Sequence, residues 1–314
     1  MTTRTPETGS SRSPEAPPRA AGWPLALAGL IVAAIQATRP RQWPKNLLVF
    51  AAPLAGATLG RADGFGYALV AFAAFTAASS AVYLVNDVVD AERDRLHPAK
   101  RLRPIASGRL PRPMAVAFAL SLLTAALLAS LAIGEPRLAG VVGAYLTMSL
   151  LYSLGLKHVP GAELLVVALG FVLRAIGGAV ATHVPPSAWF LTVCSLGALM
   201  VAIGKRYTEL SVLGAAATAH RPVMRWYRSW MLRAGQRAAA LVMLASYVLW
   251  ALSEPDAWMR GWHLASAVPL AAALFRFDLL TGLADGRPVE DLVARDAMMI
   301  CCELTWLTTF TVGL

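Results

Sequence analysis

The chain is predicted to be an all-α polytopic membrane protein with about nine transmembrane helices, and three observations predict it. Of its 314 residues, 57% are hydrophobic and only 15% are charged, at a mean hydropathy of +0.57; an ordinary soluble domain is excluded. Several apolar runs approach the roughly 20 residues needed to cross a bilayer core. The cations gather between those runs rather than within them, as in loops held on one side of a membrane. The net charge of +10 therefore points to membrane lipids and an anionic substrate as partners, with no nucleic acid.

In chain order, residues 1–20 are rich in Ser, Thr, Pro and Glu and are expected to be a disordered tail. Residues 21–314 form one transmembrane domain. The apolar run 22–37 reads as an interfacial helix leading into the first span. Arg39, Arg41 and Lys45, with Trp43 and two prolines, mark a membrane–water boundary. Spans are expected near 43–60, 65–86, 113–133, 136–155, 161–182, 188–205, 236–253, 262–281 and 296–313. The loops near 87–112 and 205–235 are crowded with Arg and Lys, whereas the alternate loops hold only Arg61, Arg137 and Arg260. Positive loops stay inside, so the chain is placed in the plasma membrane with its N-terminus cytoplasmic and its C-terminus outside. The stretch from His220 to Trp230 mixes cations and aromatics and reads as an interfacial helix acting as a lid or lipid contact. Cys194, Cys301 and Cys302 lie in apolar runs and read as small buried hydrophobes. A homo-oligomer is compatible with the sequence, which fixes no oligomeric state.

The most informative stretch is Tyr83 to Arg103, YLVNDVVDAERDRLHPAKRLR. On one helix, at about 100° per residue, Tyr83, Asn86, Asp87, Asp90 and Asp94 fall within a third of the circumference. Three carboxylates and an amide on one face suit Mg²⁺, which takes one or two carboxylates plus substrate phosphates. Lys100, Arg101 and Arg103 follow directly and would hold an anion beside the metal. Within the fifth span lie Glu163 and Arg174; an arginine at depth faces a polar cavity or a partner, and Glu163 is the obvious carboxylate. Lys45, Lys100, Lys157 and Lys205 all fall on the predicted cytoplasmic side. Gly177 and Gly178 read as packing glycines, and His97 as a turn residue before Pro98.

The pattern Asn86-Asp87-x-x-Asp90-x-x-x-Asp94 resembles the first aspartate-rich motif of the UbiA superfamily of intramembrane prenyltransferases. That resemblance implies a ring of helices around a central cavity open to cytoplasm and membrane. The segments Arg39-Pro-Arg-Gln-Trp-Pro-Lys-Asn, His97-Pro-Ala-Lys-Arg-Leu-Arg-Pro, Gly155-Leu-Lys-His, Leu173-Arg-Ala-Ile-Gly-Gly and Gly204-Lys-Arg-Tyr resemble one branch. Its members move 5-phosphoribosyl from phosphoribosyl diphosphate to decaprenyl (polyprenyl) phosphate in actinobacterial wall synthesis. The resemblance implies Asp87, Asp90 and Asp94 as catalytic carboxylates, with Mg²⁺ on Asn86 and Asp90 supported by Asp87 and Asp94. It implies Lys45, Tyr83, Lys100, Arg101, Arg103, Lys157, Arg174, Lys205 and Arg206 as substrate contacts. Prenyl-diphosphate users carry a second aspartate motif after the sixth span. Here that place reads Gly-Lys205-Arg206-Tyr-Thr-Glu209, with cations suited to phosphate. The missing motif weighs against prenyl transfer to an aromatic acceptor. Charges at one membrane edge rather than at mid-membrane weigh against a transporter.

Overall fold

The computed structural model describes residues 23–283 and 289–314. The tail expected at 1–20 and residues 285–288 of the acidic turn before the last span lie outside them. Every secondary-structure element among the described residues is a helix. The helices are α1 (Trp23–Ala37), α2 (Ala51–Ala55), α3 (Ala62–Val89), α4 (Ala91–Leu96), α5 (Arg112–Ala132), α6 (Pro136–Leu154) and α7 (Ala162–Ala181). There follow α8 (Ala188–Leu213), α9 (Ala217–His220), α10 (Ser229–Leu252), α11 (Ala257–Gly282), α12 (Val289–Arg295) and α13 (Ala297–Val312).

Seven described helices (α3, α5, α6, α7, α8, α10 and α11) are long and apolar enough to cross a membrane. The expected ninth span is α13, an apolar helix of 16 residues. The expected first span, 43–60, is not one α-helix. Pro40–Phe50 runs as a 3-10 helix of 11 residues containing Pro44, and α2 follows with Pro53. Each proline lacks an N–H and disrupts an α-helical ladder. At about 2.0 Å per residue, a 3-10 stretch of that length rises roughly 22 Å.

Small residues decide how closely the helices approach. Along α3, Ala71, Ala74 and Ala78 are buried in one cluster with Ala126 of α5, and Ala81 in another with Ala115 and Ala119. In lipid such contacts gain through close van der Waals packing, since burial from lipid brings no hydrophobic gain. Gly177 and Gly178 confirm their packing role: a methyl group on Gly178 would overlap the Val49 carbonyl, and one on Gly177 would overlap the Phe75 ring. The 3-10 stretch is thus pressed against α7.

The bundle has two ends. At one, the C-termini of α3, α6, α8 and α11 meet the N-termini of α5, α7, α10 and α13, joined by Arg206–Glu163, Arg233–Asp278 and Arg276–Asp296 pairs. At the other, His183 faces Glu135, and Gly313 lies against His263.

Two sequence expectations need correction here. The interfacial helix at 220–230 is absent: Pro222–Trp226 forms a 3-10 turn anchored by buried Val223 and Met224, and α10 begins at Ser229. Cys301 is exposed on α13 rather than buried, while Cys194 and Cys302 are half-buried.

Candidate active site

The aspartate-bearing helix is nearly continuous. α3 ends at Val89 and α4 starts at Ala91, with only Asp90 (φ −86°, ψ 0°) between them, because the Asp90 and Asp94 amides continue the i→i−4 ladder. Asp87 and Asp94 are buried, whereas Asn86, Asp90 and Tyr83 are half-buried.

The four candidate metal ligands divide into two pairs. Asp87 Oδ1 accepts from Arg39 Nη2 at 2.6 Å and from Arg103 Nη1 at 3.1 Å. The same Arg103 nitrogen donates to Asp94 Oδ2 at 2.7 Å. Asp87 and Asp94 are therefore tied together through Arg103. No side-chain hydrogen bond or ion pair links Asn86 or Asp90 to another described residue. Being i and i+4, these two oxygen donors share a face. Among the described residues, no group of three His, Cys, Asp or Glu side chains is placed to enclose a metal ion. Arginines thus occupy Asp87 and Asp94, the two acids expected to support the metal pair Asn86 and Asp90.

The loop behind the motif is folded, not merely solvated. His97 Nδ1 accepts from the Ala99 and Lys100 amides, confirming the turn. Ile105 and Leu110 are buried with Ala33, Ala37 and Leu84, and Arg112 pairs with Glu92, holding that carboxyl below its usual range together with Arg95. This packing turns Arg103 inward while Lys100 and Arg101 stay exposed.

Arg174, expected at the substrate, is 6% exposed and held by neutral acceptors. Its Nε donates to Asn46 Oδ1 at 2.7 Å, Nη1 to the Gly170 carbonyl at 2.6 Å, and Nη2 to the Tyr145 hydroxyl at 3.1 Å. The guanidinium also lies 4.7 Å from the Tyr145 ring centre. Asn46 in turn donates to Thr76 at 3.0 Å. Arg174 thus joins the 3-10 stretch to α3, α6 and α7, and the pairing with Glu163 does not occur.

Glu163 belongs instead to Arg206. Arg206 Nε lies 2.9 Å from both carboxylate oxygens, Nη2 lies 2.8 Å from Oε2, and Nη1 lies 3.0 Å from Glu209. Arg221 adds contacts to Glu163 at 3.8 Å and to Tyr152 at 3.2 Å. The Tyr227 hydroxyl accepts from the Gly161 amide at 2.8 Å, and burial pushes its phenol pKa up. Arg206, expected among the substrate contacts, thus binds Glu163 and Glu209 and links α7 to α8. Because α8 continues to Leu213, Lys205 sits within a helix rather than at its end, about 6.0 Å from the Phe171 ring.

Lys157, in the 3-10 turn Leu156–His158, has no side-chain partner among the described residues. Lys45, next to Asn46, is half-buried. One end of the bundle therefore carries two oxygen donors without described partners, with Lys100, Arg101 and Lys157 likewise unpaired there. Sequence reading missed the direct contact of Arg39 with the motif. In the sequence Arg39 reads as a boundary cation, and nothing in its spacing to Asp87 signals the pairing.

Residues 46–288 match the UbiA prenyltransferase family, and the chain belongs to it; it is a multi-pass membrane protein. It is 41% identical over 290 residues to a Mycobacterium tuberculosis protein named decaprenyl-phosphate phosphoribosyltransferase, covering 90% of this chain and 94% of that one. A protein of the same name from Corynebacterium glutamicum is 38% identical, with 87% and 84% covered. The solved structure of a UbiA homolog from Archaeoglobus fulgidus bound to GPP and Mg²⁺ aligns with a TM-score of 0.64 at 16% identity, covering 90% of this chain and 98% of that one. That likeness establishes the fold, an all-helical UbiA-type bundle.

Proposed function

We propose that this protein is a transferase that moves 5-phosphoribosyl from phosphoribosyl diphosphate to decaprenyl (polyprenyl) phosphate, releasing diphosphate, and so supplies the lipid-linked arabinose precursor of an actinobacterial wall. The reading rests on one observation above others. Asn86 and Asp90 have no described partner beside unpaired cations, and the place of a second acidic motif holds Lys205 and the committed Arg206–Glu163 pair. A single metal position at an end of the bundle rich in cations suits a donor with three phosphate groups. The curated relatives carry the matching name over nearly their whole length.

Mg²⁺ fits the residues present: an amide oxygen and a carboxylate are the hard oxygen donors that would hold it together with substrate phosphates. Bound by Asn86 and Asp90, with Asp87 and Asp94 behind them, it would withdraw charge from the leaving diphosphate. The rest of the chemistry falls to side chains. Lys100, Arg101, Arg103 and Lys157 neutralise phosphate oxygens, so that two anions can meet. Lys45, Tyr83 and Lys205 orient the donor. The acceptor phosphate, already ionised, needs no strong base: its oxygen bonds to the anomeric carbon while the carbon–oxygen bond to diphosphate breaks, the electron pair leaving with diphosphate. The lipid tail remains among the helices.

On this reading the basic end faces the cytoplasm of the plasma membrane, with the C-terminus outside, where the soluble donor and the positive loops both belong. The test supplies membranes containing the protein with radiolabelled phosphoribosyl diphosphate and polyprenyl phosphate. Mg²⁺-dependent label in the lipid fraction is expected. Lipid label obtained from prenyl diphosphate and an aromatic acceptor instead would reject the proposal.

A further inference from the structure

Arg39 lies between α1 and the 3-10 stretch, at φ 54° and ψ 65°. This left-handed conformation is rare for a side chain with a Cβ; glycine or asparagine adopts it more readily. Strain of this kind persists where the surroundings or the function demand it. The surroundings here are one contact to Asp87 at 2.6 Å and the Tyr83 ring, 4.8 Å from the guanidinium carbon. Asp87 would remain paired without Arg39, because Arg103 also reaches it at 3.1 Å. Structural need alone therefore does not account for the residue.

The exposure pattern adds a direction. The Asp87 side chain is 4% exposed, whereas those of Arg39 and Arg103 are 33% and 30% exposed. The carboxylate lies beneath and the guanidinium groups lie over it, toward solvent. Of the five N–H donors of Arg39, those on Nε and Nη1 have no partner among the described residues. The Tyr83 ring lies against the guanidinium, 4.8 Å from its carbon. Asp90, three residues beyond Asp87, lies on the same face. Arg39 reaches the motif from the N-terminal segment, whereas Arg103 reaches it from the loop that follows α4.

We infer that Arg39 is a donor-binding residue: its guanidinium, seated on Asp87 and Tyr83, grips the diphosphate of the sugar donor opposite Arg103. The inference rests on the reading of the reaction given above. A planar fork seated on a carboxylate presents parallel donors to phosphate oxygens, a geometry that lysine cannot copy.

The test uses the full chain in detergent or nanodiscs, comparing Arg39→Gly, Arg39→Gln and Arg39→Lys. Arg39→Gly suits the left-handed backbone, so it separates folding from function. All three are expected to raise KM for phosphoribosyl diphosphate at least tenfold and to leave KM for polyprenyl phosphate within twofold. Arg39→Gly is expected to melt at or above the wild-type temperature. In parallel, the thermal shift induced by inorganic diphosphate with Mg²⁺ is expected in the wild type and lost in Arg39→Gly. A wild-type diphosphate response in Arg39→Gly would overturn the inference, as would equal rises in both KM values or a loss that tracks only a smaller folded fraction. If the wild type made no lipid-linked phosphoribose, the reaction assignment would fall, and the diphosphate shift would still decide the role of Arg39.

Discussion

Replacing Arg206 with methionine separates a structural role from a substrate role. The change leaves the Glu163 side chain, fully buried at 0% exposure, without its two Nε contacts at 2.9 Å and its Nη2 contact at 2.8 Å. A buried charge that loses its partner costs about 3–5 kcal/mol. Arg221, already 3.8 Å from Glu163, can move closer and offset part of that, leaving a loss of about 3 kcal/mol. The double change Glu163→Leu with Arg206→Met removes both charges and is expected to fall within about 1 kcal/mol of wild type. Unfolding in mixed detergent micelles measures each variant. Donor KM, determined on the folded fraction, is expected to stay within twofold for Arg206→Met. Stability within about 0.5 kcal/mol of wild type, joined to a tenfold rise in donor KM, would refute this reasoning and return Arg206 to the substrate site.

Asp90→Ala is expected to abolish transfer, by more than about a hundredfold, while the protein still inserts and folds; full activity restored by added Mg²⁺ would count against the metal assignment. Asn46→Leu strands the Arg174 Nε donor and is expected to cost about 1–3 kcal/mol in the same unfolding assay. Gly178→Ala forces the 3-10 stretch off α7 and is expected to cost about 1–3 kcal/mol or prevent folding, read by the same assay. Asp296, which accepts from Arg276 at 2.6 Å and from the Met299 amide, has its pKa held down to about 2. A carboxyl with a depressed folded-state pKa gives stability that is present above its ordinary range and lost as pH falls through the folded value. Thermal melts from pH 5 to pH 2 are therefore expected to show a decline that Asp296→Asn flattens.

Much of the fold is legible in the sequence, because apolar length in a bilayer is a hard constraint. α3, α5, α6, α7 and α11 lie where hydropathy predicts spans, and α8 and α10 overlap theirs. The first span is less legible: the apolar content of 43–60 says nothing of hydrogen-bond register, and Pro44 and Pro53 decide that. In the site, helical periodicity places Asn86, Asp87, Asp90 and Asp94 together. It cannot divide them into free and committed pairs, since Arg39 and Arg103 arrive from separate segments. The Glu163–Arg206 pairing has the same origin. Spacing within α7 favours Glu163 with Arg174, while the antiparallel packing of α8 delivers a closer cation.

The acceptors around Arg174 bear on biogenesis. A lone arginine at the middle of an inserting helix costs about 2.5–3.5 kcal/mol. Asn46 and Tyr145 both precede it in the chain, and Gly170 sits one turn before it in the same helix. In a chain made from its N-terminus, every group that accommodates the cation is already synthesised when α7 leaves the ribosome. Moving that arginine to an early helix, with its acceptors downstream, would make insertion wait on segments not yet translated.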